Sequence, residues 1–198
     1  MTEEHNPRYR ITGIPEGSSG IFHIKHFTRD TIHNCWQQYL IGKGDTDDDL
    51  GGYTVLIKET CPMPIMQDSQ AEYTEHGWLW ANATGHVLIG GLGIGFVHEN
   101  LILNDDVTKV TIVEDSQDVI DLVWGHCTKD SRFEIIKADF ETWTPPEGTQ
   151  FDVVWGDTWL VDNSTYMFSY SNYQTHIRNH YSSHLSETGQ IAFWGNKG

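Results

Sequence analysis

The stretch Val87-Leu88-Ile89-Gly90-Gly91-Leu92-Gly93-Ile94-Gly95 constrains the fold of this chain more than any other. An apolar run enters a glycine turn. A second apolar run, Lys109-Val110-Thr111-Ile112-Val113, then ends on Glu114, nineteen residues after Gly95. In a doubly wound sheet this arrangement holds a nucleoside: the glycines let the backbone come close, and the acid accepts hydrogen bonds from ribose hydroxyls. Gly91, Gly93 and Gly95 form Gly-x-Gly-x-Gly, whereas the dinucleotide form needs a glycine where Phe96 stands. That difference favours S-adenosylmethionine (SAM) over NAD.

Bulk properties exclude several classes. With 198 residues, 38% of them apolar and 20% charged, the chain can bury one sizeable core and is not disordered. The formal charge of −16, with only 12 Lys and Arg and no basic run, argues against a nucleic-acid partner, because phosphate binding rests on those cations. No apolar run approaches a membrane span, and the acidic start Met1-Thr2-Glu3-Glu4-His5 is unlike a secretory signal. Cys35, Cys61 and Cys127 are too scattered for a disulfide framework or a paired metal motif, so a reducing cytoplasm is expected. Asp45-Thr46-Asp47-Asp48-Asp49 lacks the Glu that closes a calcium loop and reads as a solvated acidic loop.

The first sixty residues read as β-rich. Tyr9–Thr12, Gly20–Phe27 and Tyr53–Lys58 are strand-like, and Asp30–Ile41 has helical spacing after an Asp cap. Cys61-Pro62-Met63-Pro64 breaks the chain, and a helix is expected over Asp68–Asn82, capped by Asp68 or Ser69 with Glu72 behind it. Regular alternation follows. Strands are expected at 86–90, 109–113, 133–137, 151–155 and 190–194, and helices near 95–103, 116–125 and 164–185. The expected fold is therefore α/β: a doubly wound, mainly parallel, Rossmann-like sheet at 63–198, short of the usual C-terminal strand hairpin, with a small β-rich N-terminal extension at 1–62.

From residue 63 onward the chain resembles the class I SAM-dependent methyltransferases, and within them the spermidine-synthase-like branch. The resemblance rests on Ile89–Gly95, on Val113-Glu114-Asp115, and on Lys137-Ala138-Asp139 followed by Phe151-Asp152-Val153-Val154-Trp155-Gly156-Asp157-Thr158-Trp159. Met66–Glu72 and Asp157-Thr158-Trp159 are also similar to small methyltransferase-like proteins of phages and bacteria. The resemblance implies SAM as cofactor. Gly91, Gly93 and Gly95 would pass under its methionine and ribose, Glu114 would bind the ribose hydroxyls, and Asp139 the adenine amino group with Phe140 beside the ring. Asp157 would face the reacting centre. The aminopropyltransferases carry an acid pair after the fourth strand; here the second acid is displaced to Asp162, which puts polyamine chemistry in doubt.

Asp157 is the candidate catalytic residue, as anchor or base for the acceptor; a turn or N-cap role is its structural alternative. Trp155 reads as a buried strand residue, and Trp159 as either core or pocket wall. Gln67 and Asp68 are candidates for the substrate end, although a helix cap explains Asp68 equally well. His176, His180 and His184 stack at i, i+4 and i+8, yet nothing in sequence completes a zinc set, and a polar helix face accounts for them; His76, His86, His98 and His126 show no ligand spacing. The expected function is a SAM-dependent methyltransferase acting on a small molecule or a protein side chain. The alternatives are an aminopropyltransferase using decarboxylated SAM and a non-catalytic nucleoside-binding or assembly module, with a homodimer possible through an exposed sheet edge.

Overall fold

The structure, a computed structural model, describes residues 11, 13–27, 53–61, 64–158 and 170–195. The expected strand at 9–12 apart from Ile11, the helix at 30–41, the acidic loop at 45–49, Cys35, Trp159 and residues 164–169 of the helix expected at 164–185 lie outside them.

The described residues form two sheets. The first is antiparallel, with strands β1 (Gly17–Ser19), β2 (Phe22–Phe27), β3 (Tyr53–Lys58) and β4 (Met66–Gln67) in that order. The second has five strands in the order β7-β6-β5-β8-β9, all parallel: β5 (Gly85–Gly90), β6 (Val107–Glu114), β7 (Phe133–Lys137), β8 (Phe151–Gly156) and β9 (Leu185–Phe193). Helices α1 (Gln70–Glu75) and α2 (Gly77–Asn82) precede β5. Helices α3 (Phe96–Leu101), α4 (Gln117–Val123) and α5 (Tyr170–Tyr181) follow β5, β6 and β8. Near-continuous apolar runs such as Val87-Leu88-Ile89 and Val153-Val154-Trp155 suit strands covered on both faces.

The glycine strand is central, as expected, flanked by β6 and β8. From β5 the chain steps outward through β6 and β7, then returns past β5 to β8 and β9. The order reverses beside β5, and the carboxyl ends of β5 and β8 flank the switch point where open α/β sheets bind ligands.

The N-terminal strands share the core of the parallel sheet. Ile14, Ile24 and Leu56 pack in one cluster with Val87, Ile89, Ile112 and Trp155. The Ser19 hydroxyl donates to Asp118 on α4 at 2.6 Å. β4 lies beyond the expected division at residue 62 yet pairs with β3, so the antiparallel sheet runs into the second unit.

Two local departures have physical reasons. The expected helix over 68–82 is broken at His76, whose backbone (φ −92°, ψ 7°) leaves helical geometry just before Gly77. β9 starts at Leu185 rather than 190, because its pairing with β8 jumps from Phe151–Leu185 to Val153–Gln190. The bulged residues Ser186-Glu187-Thr188-Gly189 are polar and carry no apolar alternation to read. Among the described residues no helix is long and apolar enough to cross a membrane.

Candidate functional site

Three left-handed glycines build the turn after β5: Gly91 at φ +90°, Gly93 at +55° and Gly95 at +72°. Any other residue is strained there. The turn is also clamped. A Cβ on Gly93 would overlap Met66 Sδ, and one on Gly95 would overlap Cys127 Sγ. The Ile94 N–H donates to Met66 Sδ at 3.4 Å, so β4 of the antiparallel sheet holds the glycine turn. Gly93→Ala should therefore cost about 1–3 kcal/mol of stability from backbone strain, read by denaturant unfolding. An unchanged midpoint would show that Met66 and the turn yield freely.

Glu114, at the end of β6, accepts from Leu92 N through Oε2 and from Ser116 N through Oε1, both at 2.8 Å. Its carboxylate thus ties the glycine turn to the start of α4. Burial pushes it up to about 7, although those two N–H donors pull the other way. Asp139 is exposed and accepts from Glu141 N at 2.9 Å, closing a turn after β7. Phe140 is 2% exposed: its ring covers Gly90 and stacks on Tyr181 at 4.9 Å. As placed, it offers almost no surface to an adenine ring.

Asp157, just past β8, sits over the turn: a Cβ on Gly91 would lie 3.1 Å from its carbonyl oxygen. Its Oδ2 accepts from His76 Nε2 at 3.1 Å. His76 Nδ1 in turn donates to the Glu72 carbonyl at 2.9 Å. Glu72 and His76 are four residues apart, and their carboxylate–imidazole separation is 3.6 Å. Trp194 Nε1 donates to Glu72 Oε1 at 2.7 Å. The imidazole is fully enclosed, stacked on Trp80 at 5.3 Å and flanked by Phe96 and Trp155 at 5.6 and 5.5 Å.

These groups perturb one another. Burial alone pulls His76 down, but the hydrogen bond and charge of Asp157, with the charge of Glu72, outweigh it and leave His76 raised. Burial pushes Glu72 up to about 7; the Asp157 and Glu75 charges add to this, and His76 and Trp194 oppose it. The imidazole thus lies between two acids and against an aromatic face.

Gln67 and Asp68 separate in role. The Asp68 carboxylate accepts from Ile11 N at 2.8 Å and Thr54 N at 2.6 Å, clasping the N-terminal segments together. Ser69 is the helix cap, its hydroxyl accepting from Glu72 N at 3.1 Å. Gln67 Nε2 donates to Ser69 Oγ at 3.2 Å, while its buried Oε1 has no hydrogen-bond partner among the described residues. Trp155 is wholly buried, as its strand position suggested. His176 and His180 each donate from Nε2 to a carbonyl, of Glu141 and Trp143, both at 2.8 Å, so they staple α5 to the segment after β7. A cleft of about 550 Å3 lined by Tyr73, Trp80, Asn100 and Leu103 shares no residue with the Gly91–Glu114–Asp157 region.

Sequence reasoning passed over His76. The available signal was the i, i+4 spacing of Glu72 and His76, hidden because Glu72 reads as half of a capping box. Its carboxylate goes to Trp194 instead.

No protein-family model and no curated protein matches the chain. Solved structures do. Spermidine synthase from Thermotoga maritima is 19% identical over 91% of this chain and 55% of its own, with a TM-score of 0.51. A spermidine synthase in complex with the transition-state analogue AdoDATO gives 18%, 91%, 57% and 0.50. The CcbJ methyltransferase from Streptomyces caelestis matches over 62% of this chain and 48% of its own, at 19% identity and a TM-score of 0.46. The chain spans little more than half the length of the spermidine synthases it matches. The chain shares its fold with the spermidine synthases, and that match takes in most of the chain.

Proposed function

We propose that this chain binds an S-adenosyl nucleoside and is a SAM-dependent methyltransferase acting on a small molecule or a protein side chain. The observation that carries the reading is convergence: three left-handed glycines, the Glu114 carboxylate and Asp157 meet where the strand order reverses. When bound, the cofactor supplies a methyl carbon activated by a cationic sulfur. The chain's own groups then have defined tasks. Glu114 accepts from the ribose hydroxyls with the lone pairs its backbone bonds leave over. The orphaned Gln67 Oε1 offers an acceptor for an amino group. Asp157 holds a protonated acceptor or takes its proton, and His76 fixes the carboxylate that does so.

Aminopropyl transfer from decarboxylated SAM is a second reading, and one observation favours it. That chemistry needs a second acid near Asp157 to hold a polyamine, and Glu72 lies within the same cluster, its ligand atom no more than 4.8 Å from that of Asp157. The strongly acidic chain suits a cationic substrate as well.

Isothermal titration calorimetry with S-adenosylhomocysteine, methylthioadenosine and NAD tests the shared premise. The two S-adenosyl products should bind and NAD should not. Binding of NAD alone would overturn the proposal. Turnover with SAM against decarboxylated SAM, offered amine acceptors, then separates the two transfers.

A further inference from the structure

We propose that Glu72, His76 and Asp157 form a binding site for one divalent first-row transition-metal ion. One ligand atom from each lies within 4.8 Å of the others, on three segments that the fold brings together: α1, the break after it, and the end of β8. Sequence spacing shows only the Glu72–His76 half of this set, because Asp157 is 81 residues from His76.

The geometry fits an ion. His76 Nδ1 is committed to the Glu72 carbonyl at 2.9 Å, which leaves Nε2 as the ring nitrogen facing Asp157. Metal-binding imidazoles are oriented in this way, by a backbone carbonyl on the other nitrogen. Neighbouring ligands about 2.1 Å from one ion, at octahedral to tetrahedral angles, stand about 3.0–3.4 Å apart. His76 Nε2 and Asp157 Oδ2 stand 3.1 Å apart. The Glu72 carboxylate is steered by Trp194 Nε1 and has to move inward to complete the set. Aromatic rings of Trp80, Phe96 and Trp155 wall the imidazole, so an ion bound there sits in a poorly solvated place where its charge counts for more.

The donor set selects the ion class. One imidazole and two carboxylates suit zinc, cobalt, manganese or iron(II), whereas magnesium and calcium prefer oxygen alone. Three protein ligands leave at least one position for an outside group, as in catalytic rather than structural sites. The backbone of Asp157 packs over Gly91, so the site lies beside the glycine turn. An acceptor oxygen or nitrogen would be held there by the ion, with Asp157 acting through it.

The inference does not depend on the nucleoside reading: cobalt binding in a protein that ignores S-adenosylhomocysteine would leave the metal site standing. The test is titration of chelator-treated full-length protein with Co2+, followed by visible absorption and by calorimetry, with Mg2+ as a second arm. Saturable binding of one Co2+ per chain is expected, with no response to Mg2+. Glu72→Gln and Asp157→Asn, which keep side-chain shape, should each weaken it by at least about tenfold, and His76→Asn should abolish it. His180→Asn is the control for the stacked His176–His180 pair, whose rings are 6.0 Å apart, and should leave binding unchanged. Circular dichroism reports whether each variant folds; if His76→Asn does not, the two carboxylate variants decide. Absence of saturable Co2+ binding overturns the proposal. So does binding that survives both carboxylate variants or is lost in His180→Asn.

Discussion

Asp157→Asn should lower turnover by about 10²–10⁴-fold, the usual effect of losing a general base, with affinity for S-adenosylhomocysteine held within about twofold. The prediction follows from where the carboxylate stands. It follows β8, whose next backbone carbonyl packs over Gly91, and its Oδ2 accepts from His76 Nε2, while Glu114, the acid proposed to hold the ribose, ends a different strand and accepts from Leu92 N and Ser116 N. Removing the charge therefore touches the acceptor side and leaves the nucleoside side alone. A purely structural Asp157 predicts the opposite split. The charge and hydrogen bond of Asp157 are what hold His76 up against burial, so Asn in that role would lower stability and spare turnover. Parallel measurement of kcat, nucleoside affinity and denaturant midpoint separates the two, and unaltered kcat with a lowered midpoint would refute the catalytic assignment.

The parts of the molecule legible in sequence are those that local chemistry dictates. β5, β6 and β8 follow from largely apolar runs, and the turn after β5 from glycines that only a left-handed backbone requires. What escaped has nonlocal causes. The break at His76 is set by a side chain drawn to Asp157 and into a cage of Trp80, Phe96 and Trp155, whereas helical spacing over 68–82 continues through it. Asp68 and Ser69 were indistinguishable as caps until the backbone of Ile11 and Thr54 claimed the Asp68 carboxylate. Phe140 shows the same limit. It stands next to Asp139 in the motif, yet Gly90 leaves room for its ring inside the core, against Tyr181. The strand ends that gather the site were readable; which of the side chains near them turn inward was not.

Glu114→Gln should weaken S-adenosylhomocysteine by about tenfold or more at neutral pH, since hydrogen bonds to a charged acceptor contribute about 1.5–3 kcal/mol each and the amide forfeits that assistance. Gln keeps one oxygen for Leu92 N or Ser116 N, so the glycine turn should survive; Glu114→Ala removes both props and should cost stability as well. The pH dependence is the sharper test. Burial raises Glu114 to about 7, so the ligand-free protein takes up its proton near neutrality. Ribose hydroxyls donate to the ionised form. Affinity should therefore improve as pH rises through about 7 and fall below it, by as much as about tenfold per pH unit. Folding stability should move the other way. An acid whose folded value lies above its unfolded one, near 4.3, binds more protons in the native state, so its contribution is fully present below about 4 and is lost as pH rises through about 7. Glu72, raised for the same reason, adds a stability slope of the same sign, so stability alone does not isolate Glu114. Affinity does: calorimetry at pH 6, 7 and 8 should show the slope in the wild type and a flat profile in Glu114→Gln. An identical slope in both would place the ribose away from Glu114 and remove the main support for nucleoside binding at this turn.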